Sequence, residues 1–237
     1  MLSVVVPCYN EAGNIPFLFE KFQPLLIQKP DTEIIFVNNG STDDSARVFE
    51  AEAGKYPGYN FKIYNVEKNQ GYGFGILSGL RSSKGDILAW THADMQTDPE
   101  DVLVAFGIYQ AKNDPTVLVK GKRKNRKWAE AFFSFGMELI ASAALSSSLH
   151  DINAQPKLFS RRFFESIEAD APYDFSLDLY FLYHARKQGK IISFPVYFKK
   201  RLFGEAKGGG SFKTRIKLIN RTFTYIFKLR KNLKAVK

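Results

Sequence analysis

The chain has 237 residues, 45% of them hydrophobic, enough to build a sizeable core in one large domain or two small ones. Its single cysteine, Cys8, excludes an internal disulfide, and its longest apolar stretch, Ala131 to Leu149, carries Glu138 and five serines, which makes it a poor bilayer span. The net charge of +10 is concentrated at one end: from Lys199 onward thirteen Lys and Arg face one acid, Glu205, a local +12 that leaves the first 198 residues at −2 and points the tail towards a polyanion.

In chain order, the run LSVVVP (2–7) predicts a strand and is expected to leave no room for a signal peptide. Further strands are predicted at 33–38, 61–66, 86–91 and 116–121, with helical stretches near 14–28, 43–54, 72–83 and 99–112 between them. Short β-branched runs separated by helices of this size imply βαβ units, so the expected fold is α/β with a mostly parallel sheet covered on both faces. The second half is less regular, with helices expected near 128–146 and 177–188, a strand near 190–198, and a flexible loop in GEAKGGGS (204–211).

Ligands of such sheets bind beyond the carboxyl ends of the strands, and the polar clusters fall there. NNGSTDDS (38–45) reads as a strand end, a turn at Gly40 and a helix start capped by Ser41 or Thr42, or as a nucleotide pocket built from Asn38 and Asn39. KNQGYGFGILSGL (68–80) places three glycines before a helix but lacks the Gly-Lys-Ser/Thr of a phosphate loop. In ILAWTHADMQTDPED (87–101), Asp98 and Pro99 account for a helix start, and Glu100 and Asp101 suit its first turn. They do not account for His92, Asp94 and Gln96, which alternation places on one side if the chain stays extended. An imidazole, a carboxylate and an amide oxygen can hold Mg²⁺ or Mn²⁺ with phosphates completing the shell.

Together these segments resemble the inverting family 2 glycosyltransferases of the GT-A fold. VVVPCYNEAGNI is similar to the family's opening strand and Pro-x-Tyr-Asn-Glu loop, VNNGSTDDS to its Asp-Asp-Gly-Ser-x-Asp loop, NQGYGFGILSGL to its Asn-x-Gly helix start, and HADMQTDPED to its Asp-x-Asp metal motif. FSRRF (159–163) and FPVYFKKRLFGEAK (194–207) resemble, more loosely, the dolichol- or polyprenyl-phosphate sugar synthases. Two positions depart from the pattern: His92 stands for the first Asp of the metal motif and Asn39 for the second Asp of the nucleotide loop.

The resemblance implies transfer of a sugar, with inversion, from a UDP- or GDP-linked donor to a lipid-linked acceptor, polyprenyl phosphate or a glycolipid; a glycan hydroxyl of surface polysaccharide assembly is the alternative acceptor. It implies a donor site of Pro7, Tyr9, Asn10, Glu11, Asn38, Asn39, Ser41, Asn69, Gly71, His92, Ala93 and Asp94. The divalent ion falls to Asp94 and Gln96, while His92 either ligates or touches only the nucleotide. Lys157, Arg201 and Lys207 are expected to add positive charge at the phosphates, and KGKRKNRK (120–127), with Arg123 and Arg126, either joins the basic surface of the tail or binds the phosphate of a lipid acceptor. Asp178 is the implied general base, with Asp174 second; the plain reading of Asp178 is a helix N-terminal acid, and a phosphate acceptor needs no strong base. Asp151 either orients the acceptor or caps a helix.

The domains expected are a transferase unit over 1–211, with a nucleotide-sugar half (1–121) and an acceptor half (122–211), then a basic amphipathic helix over 212–237. In that tail Phe212, Ile216, Ile219, Phe223, Ile226, Phe227 and Leu233 form one helical stripe opposite Lys213, Lys217, Arg221, Lys228 and Lys231. The stripe either lies in an anionic membrane surface or packs on the domain. The first reading places the protein in the cytoplasm, held peripherally on the inner membrane face. Nucleic acid is not the expected partner, because the polar edge is acidic and the tail has no base-reading motif. A member that binds nucleotide sugar without turnover is the remaining alternative, suggested by His92 and Asn39.

Overall fold

The computed structural model describes residues 1–124, 149–199 and 223–227, together with 142, 145, 147 and 229. The expected helix near 128–146 lies outside them except for Ser142 and Leu145, and so do the 204–211 loop, Arg126, Arg201, Lys207 and most of the tail.

Strands β1 (Leu2–Cys8), β2 (Thr32–Asn39), β3 (Phe61–Val66) and β4 (Ile87–Trp90) alternate with helices α1 (Ile15–Gln28), α2 (Ser45–Ala53) and α3 (Tyr72–Ser82). Helix α4 (Glu100–Lys112) leads to β5 (Val117–Lys124). The second half adds β6 (Lys157–Ser160), α5 (Arg161–Ile167), a 3-10 turn at Glu168–Asp170, α6 (Leu177–Gln188) and β7 (Lys190–Tyr197). The seven strands form one sheet in the order β3-β2-β1-β4-β6-β5-β7. Only β6 runs antiparallel, between β4 and β5, pairing Trp90 with Lys157 and Lys120 with Lys157. Strand β6 and helix α5 were not expected from the sequence.

Alternation along the central strands divides the core. Val4 and Val6 of β1 and Ile34 and Phe36 of β2 join α1, α2 and α4 on one face. Val5, Ile35 and Val37 point the other way, into a core with α3, α5 and α6. Both faces are therefore buried, as the continuous apolar strands require.

The termini of these helices explain some of the polar residues. Asp98 caps α4, its Oδ1 accepting from Glu100 N at 3.2 Å. At α2 the capping carboxylate is Asp43, which accepts from Ser45 N at 3.0 Å. Ser41 and Thr42, the expected caps, are drawn instead to the loop after β1.

Ile226 and Leu229 of the tail are buried in the α3–α5–α6 core, with Phe223 and Tyr225 against it, while Phe227 stays 58% exposed. The described part of the apolar stripe thus packs on the domain along one side. Among the described residues no helix is long and apolar enough to cross a membrane.

Candidate active site

Four strand-end segments meet at the carboxyl edge of the sheet. The loop after β1 is fixed to the loop after β2: Asn10 N donates to Ser41 Oγ at 3.0 Å, Thr42 N to Asn10 Oδ1 at 2.8 Å and Glu11 N to Ser45 Oγ at 3.1 Å. Asn10 adopts a left-handed φ of 54°, which aims its side chain at Thr42. Glu11 turns to Asn14, accepting from its Nδ2 at 2.5 Å. Pro7 is the penultimate residue of β1, in register with Val37, and Tyr9 follows the strand, half-buried.

Asn38 and Asn39 end β2 with both side chains buried. Asn38 donates to Asn65 Oδ1 at 3.1 Å and accepts from Ser41 N at 3.3 Å. Asn39 donates to Gly71 O at 3.0 Å, joining the second loop to the start of α3. Asn69 closes that turn by accepting from Gly71 N at 2.9 Å. The glycine-rich segment has a role the sequence did not reveal. Gly71 has φ 126°, and a side chain there would strike the Tyr173 carbonyl; a Cβ at Gly73 would stand 2.5 Å from Pro172 O. The glycines let α3 begin directly on the backbone of residues 172–174 in the second half of the chain.

The segment after β4 departs from the extended geometry expected of it. The strand stops at Trp90, and Met95 takes a left-handed φ of 58°. The strict alternation of His92, Asp94 and Gln96 is lost. A buried contact of 3.2 Å between the Thr91 and Thr97 hydroxyls closes the loop across its base. Asp94 and Ala93 are buried, and Asp94 Oδ1 accepts from Gln96 N at 3.2 Å. Gln96 reaches sideways: its Nε2 donates to Lys199 O at 3.3 Å, while Lys199 N returns a bond to Gln96 O at 2.9 Å. Among the described residues no three His, Cys, Asp or Glu side chains cluster as a self-sufficient metal site.

The second half completes the edge with a buried ion pair. Lys157 Nζ contacts Asp178 Oδ1 and donates to Ala154 O at 3.1 Å, with the Trp90 ring 5.3 Å away. Gln155 Nε2 donates to the same Asp178 oxygen at 2.9 Å. Lys157 is 0% exposed and Asp178 2%. Burial pulls the Lys157 ammonium below the ordinary lysine value, with Asp178 opposing that shift. Lys157, expected to face the phosphates, is committed to Asp178. Asp178 does lie in the first turn of α6, as the plain reading had it. Asp174 also serves that helix, accepting from Ser176 N at 2.8 Å.

Arg123 and Asp151 form a second pair: Arg123 N and Nε donate to the two Asp151 oxygens at 2.6 and 2.7 Å. Burial would raise the Asp151 carboxyl, but Arg123 outweighs it and holds it below its usual range. These groups share one electrostatic site. Burial lowers the His92 imidazole below its ordinary value; Asp94 and Asp178 oppose the shift, and Lys157 and Arg123 reinforce it. The structure thus brings His92, Asp94, Asp178, Lys157 and Arg123 together. Sequence reasoning missed Gln155, Phe175 and Tyr72; the Gly-Tyr-Gly bracket around Tyr72 was the one signal available.

Residues 3–167 match the family described as Glycosyl transferase family 2. The chain is 27% identical over 167 residues to an undecaprenyl-phosphate 4-deoxy-4-formamido-L-arabinose transferase of Serratia proteamaculans, covering 70% of this chain and 51% of that one. It is 28% identical to the Pseudomonas fluorescens protein of the same description, over 61% of this chain and 44% of that one. The chain spans about half the length of the curated relatives it matches. Among solved structures, a glucosyl-3-phosphoglycerate synthase of Mycobacterium tuberculosis with Mn²⁺, UDP and phosphoglyceric acid superposes with a TM-score of 0.74 at 17% identity, covering 97% of this chain and 78% of that one. A mannosyltransferase of Pyrobaculum calidifontis with GDP-mannose and Mn²⁺ superposes at 0.67 and 21% identity, over 96% and 64% of the two chains. The shared fold is the α/β architecture expected from the motifs.

Proposed function

The chain belongs to glycosyl transferase family 2, and from that membership we propose that it moves a sugar, with inversion, from a UDP- or GDP-linked donor onto a polyprenyl phosphate. The curated relatives are described as undecaprenyl-phosphate sugar transferases, which supports the acceptor class. The bonds that join Asn10, Ser41, Thr42, Asn39 and Gly71 support a donor site at the ends of β1 and β2.

The observation that carries the acceptor is the state of Asp178. A sugar hydroxyl needs a general base, and a base needs a carboxylate able to take a proton. Asp178 holds Lys157 and Gln155 on one oxygen, with no exposed surface to speak of. That oxygen is already taken by two donors, so the Lys157 and Gln155 contacts would have to break before it could receive a hydroxyl proton. A phosphate monoester arrives with its own negative charge and attacks the anomeric carbon without that help. Asp178 then acts by fixing Lys157 and Gln155 rather than by moving a proton.

A buried carboxylate on Asp94 and a neutral imidazole on His92 fit an Mg²⁺ or Mn²⁺ ion that shares its shell with a diphosphate. When bound, that ion would supply charge stabilisation of the leaving diphosphate. Gln96 is assigned instead to tethering the loop to Lys199. Arg123, held on Asp151, contributes positive potential beside the cleft. The basic tail would hold the protein peripherally on an anionic membrane face through the lysines and arginines that follow Lys199.

The test is a screen of radiolabelled UDP- and GDP-sugars with Mn²⁺ and polyprenyl phosphate, run beside Asp94→Ala. Label entering the lipid-phosphate fraction with wild type, and falling at least about a hundredfold in the variant, is the expected result. Label in no acceptor fraction, or label indifferent to Asp94, overturns the proposal.

A further inference from the structure

Tyr72 is drawn to the carboxyl edge of the sheet by the two glycines that flank it. Because Gly71 and Gly73 carry no Cβ, α3 starts against the backbone of residues 172–174, and Phe74 N donates to Tyr173 O at 3.0 Å. That contact puts Tyr72 between the two halves of the chain. Phe175 stacks on one side of its ring, with centroids 4.8 Å apart and planes 10° from parallel. The His92 ring lies on the metal-motif side at 6.3 Å. Beyond the hydroxyl, Gln155 Nε2 stands at 3.5 Å, and the same nitrogen serves Asp178 at 2.9 Å.

A phenol is both a hydrogen-bond donor and an acceptor, and Gln155 meets this one as a donor. In an in-line displacement the reacting sugar lies between the leaving diphosphate and the attacking oxygen. Asp94 marks the first side and Asp178 the second, and the fields of both reach Tyr72. Its stacked ring is fixed before any ligand arrives, which lowers the ordering cost of a contact made there.

We propose that Tyr72 is a sugar-binding residue of this site, its hydroxyl hydrogen-bonding an oxygen of the transferred sugar and so setting which sugar is held between diphosphate and acceptor. This rests on the nucleotide-sugar reading above. Phe175 acts through Tyr72, as the residue that holds the ring in place.

Calorimetry without acceptor tests it. UDP and UDP-glucose, and GDP and GDP-mannose, are titrated with Mn²⁺ into wild type, Tyr72→Phe and Phe175→Ala. For the sugar nucleotide that wild type binds, Tyr72→Phe is expected to weaken binding roughly three- to tenfold, the size of one neutral hydrogen bond, while leaving the affinity for the matching nucleoside diphosphate within about twofold. Phe175→Ala should show the same pattern, smaller. An unchanged ratio of the two affinities in Tyr72→Phe, or equal losses for both ligands, overturns the proposal. If wild type binds neither nucleotides nor sugar nucleotides, the donor reading falls and this inference with it, a result distinct from failure in the variants alone.

Discussion

Two buried carboxylates sit at opposite edges of the same sheet. At the amino edge Glu33, on β2, accepts from Ser3 Oγ at 2.5 Å and Lys84 N at 2.5 Å and pairs with Lys62. At the carboxyl edge Asp178 accepts from Gln155 and pairs with Lys157. The difference lies in the cations. Lys62 keeps 38% of its side chain in water, whereas Lys157 keeps none. The first pair joins β1, β2, β3 and the turn before β4 at modest desolvation cost. The second encloses both charges, an arrangement that is weak evidence for stability and is better explained by what it positions. Glu33 belongs to the fold and Asp178 to the site.

Breaking the sealed pair should have the largest effect. Lys157→Met leaves Asp178 buried without its counter-charge and is expected to cost about 3–5 kcal/mol in chemical denaturation. The double variant Lys157→Met/Asp178→Leu should recover most of that stability while transfer stays lost. If the double variant is no more stable than the single, the pair is holding the fold rather than the site.

Gly71→Ala attacks the same edge through the backbone. Its φ of 126° and the Tyr173 carbonyl beside it exclude a side chain, so a loss of roughly 2–3 kcal/mol is expected, with transfer impaired because Tyr72 is displaced. A variant with wild-type melting would show that α3 can start elsewhere.

Glu33→Gln sharpens the contrast from the other side. A loss of about 1–2 kcal/mol is expected, since Lys62 is partly solvated, with transfer per folded molecule unchanged. The pH dependence has a definite sign. Burial would raise the Glu33 carboxyl, but Lys62, Ser3 and the Lys84 amide together hold it below its ordinary value. Its contribution is therefore complete above about pH 4.3, the unfolded value, and is lost as pH falls through the lower native one. Denaturation midpoints of wild type and Glu33→Gln should converge in acid; a constant gap would contradict this.

The smallest effect belongs to Asp101, pushed up to about 6 by burial and by neighbouring Asp98. The native carboxyl holds its proton more tightly than the unfolded chain, so this group lowers stability as pH rises from about 4 through 6. Asp101→Asn should gain up to about 1 kcal/mol at pH 7, after allowance for solvent screening, and nothing below pH 4. A gain that persists in acid would point to some other cause.

The same contrast marks what the sequence discloses. Strands β1 to β5 and helices α1 to α4 were legible because short apolar, β-branched runs alternate with longer helical stretches, and α6 falls on the 177–188 expected for it. Strand β6 escaped because four residues beginning with Lys157 and ending in Ser160 show no strand pattern. Its place between β4 and β5 is a long-range fact. Lys157 looked like a phosphate ligand because its partner Asp178 lies 21 residues away on a helix. His92, Asp94 and Gln96 were aligned by a rule that holds only in a strand, and the strand ended at Trp90. The meeting of the Asn10, Asn38 and Asp94 loops was legible for a simpler reason: parallel strands deliver their carboxyl ends to one edge.

An acceptor that brings its own charge is tested most directly by comparing polyprenyl phosphate with the matching polyprenol under one nucleotide-sugar donor. We expect transfer to the phosphate and at least about a hundredfold slower transfer to the alcohol, because Lys157 and Gln155 already occupy Asp178 Oδ1. Equal rates on the two would show that a carboxylate here does take the proton, and that the reading of the Lys157–Asp178 pair is wrong.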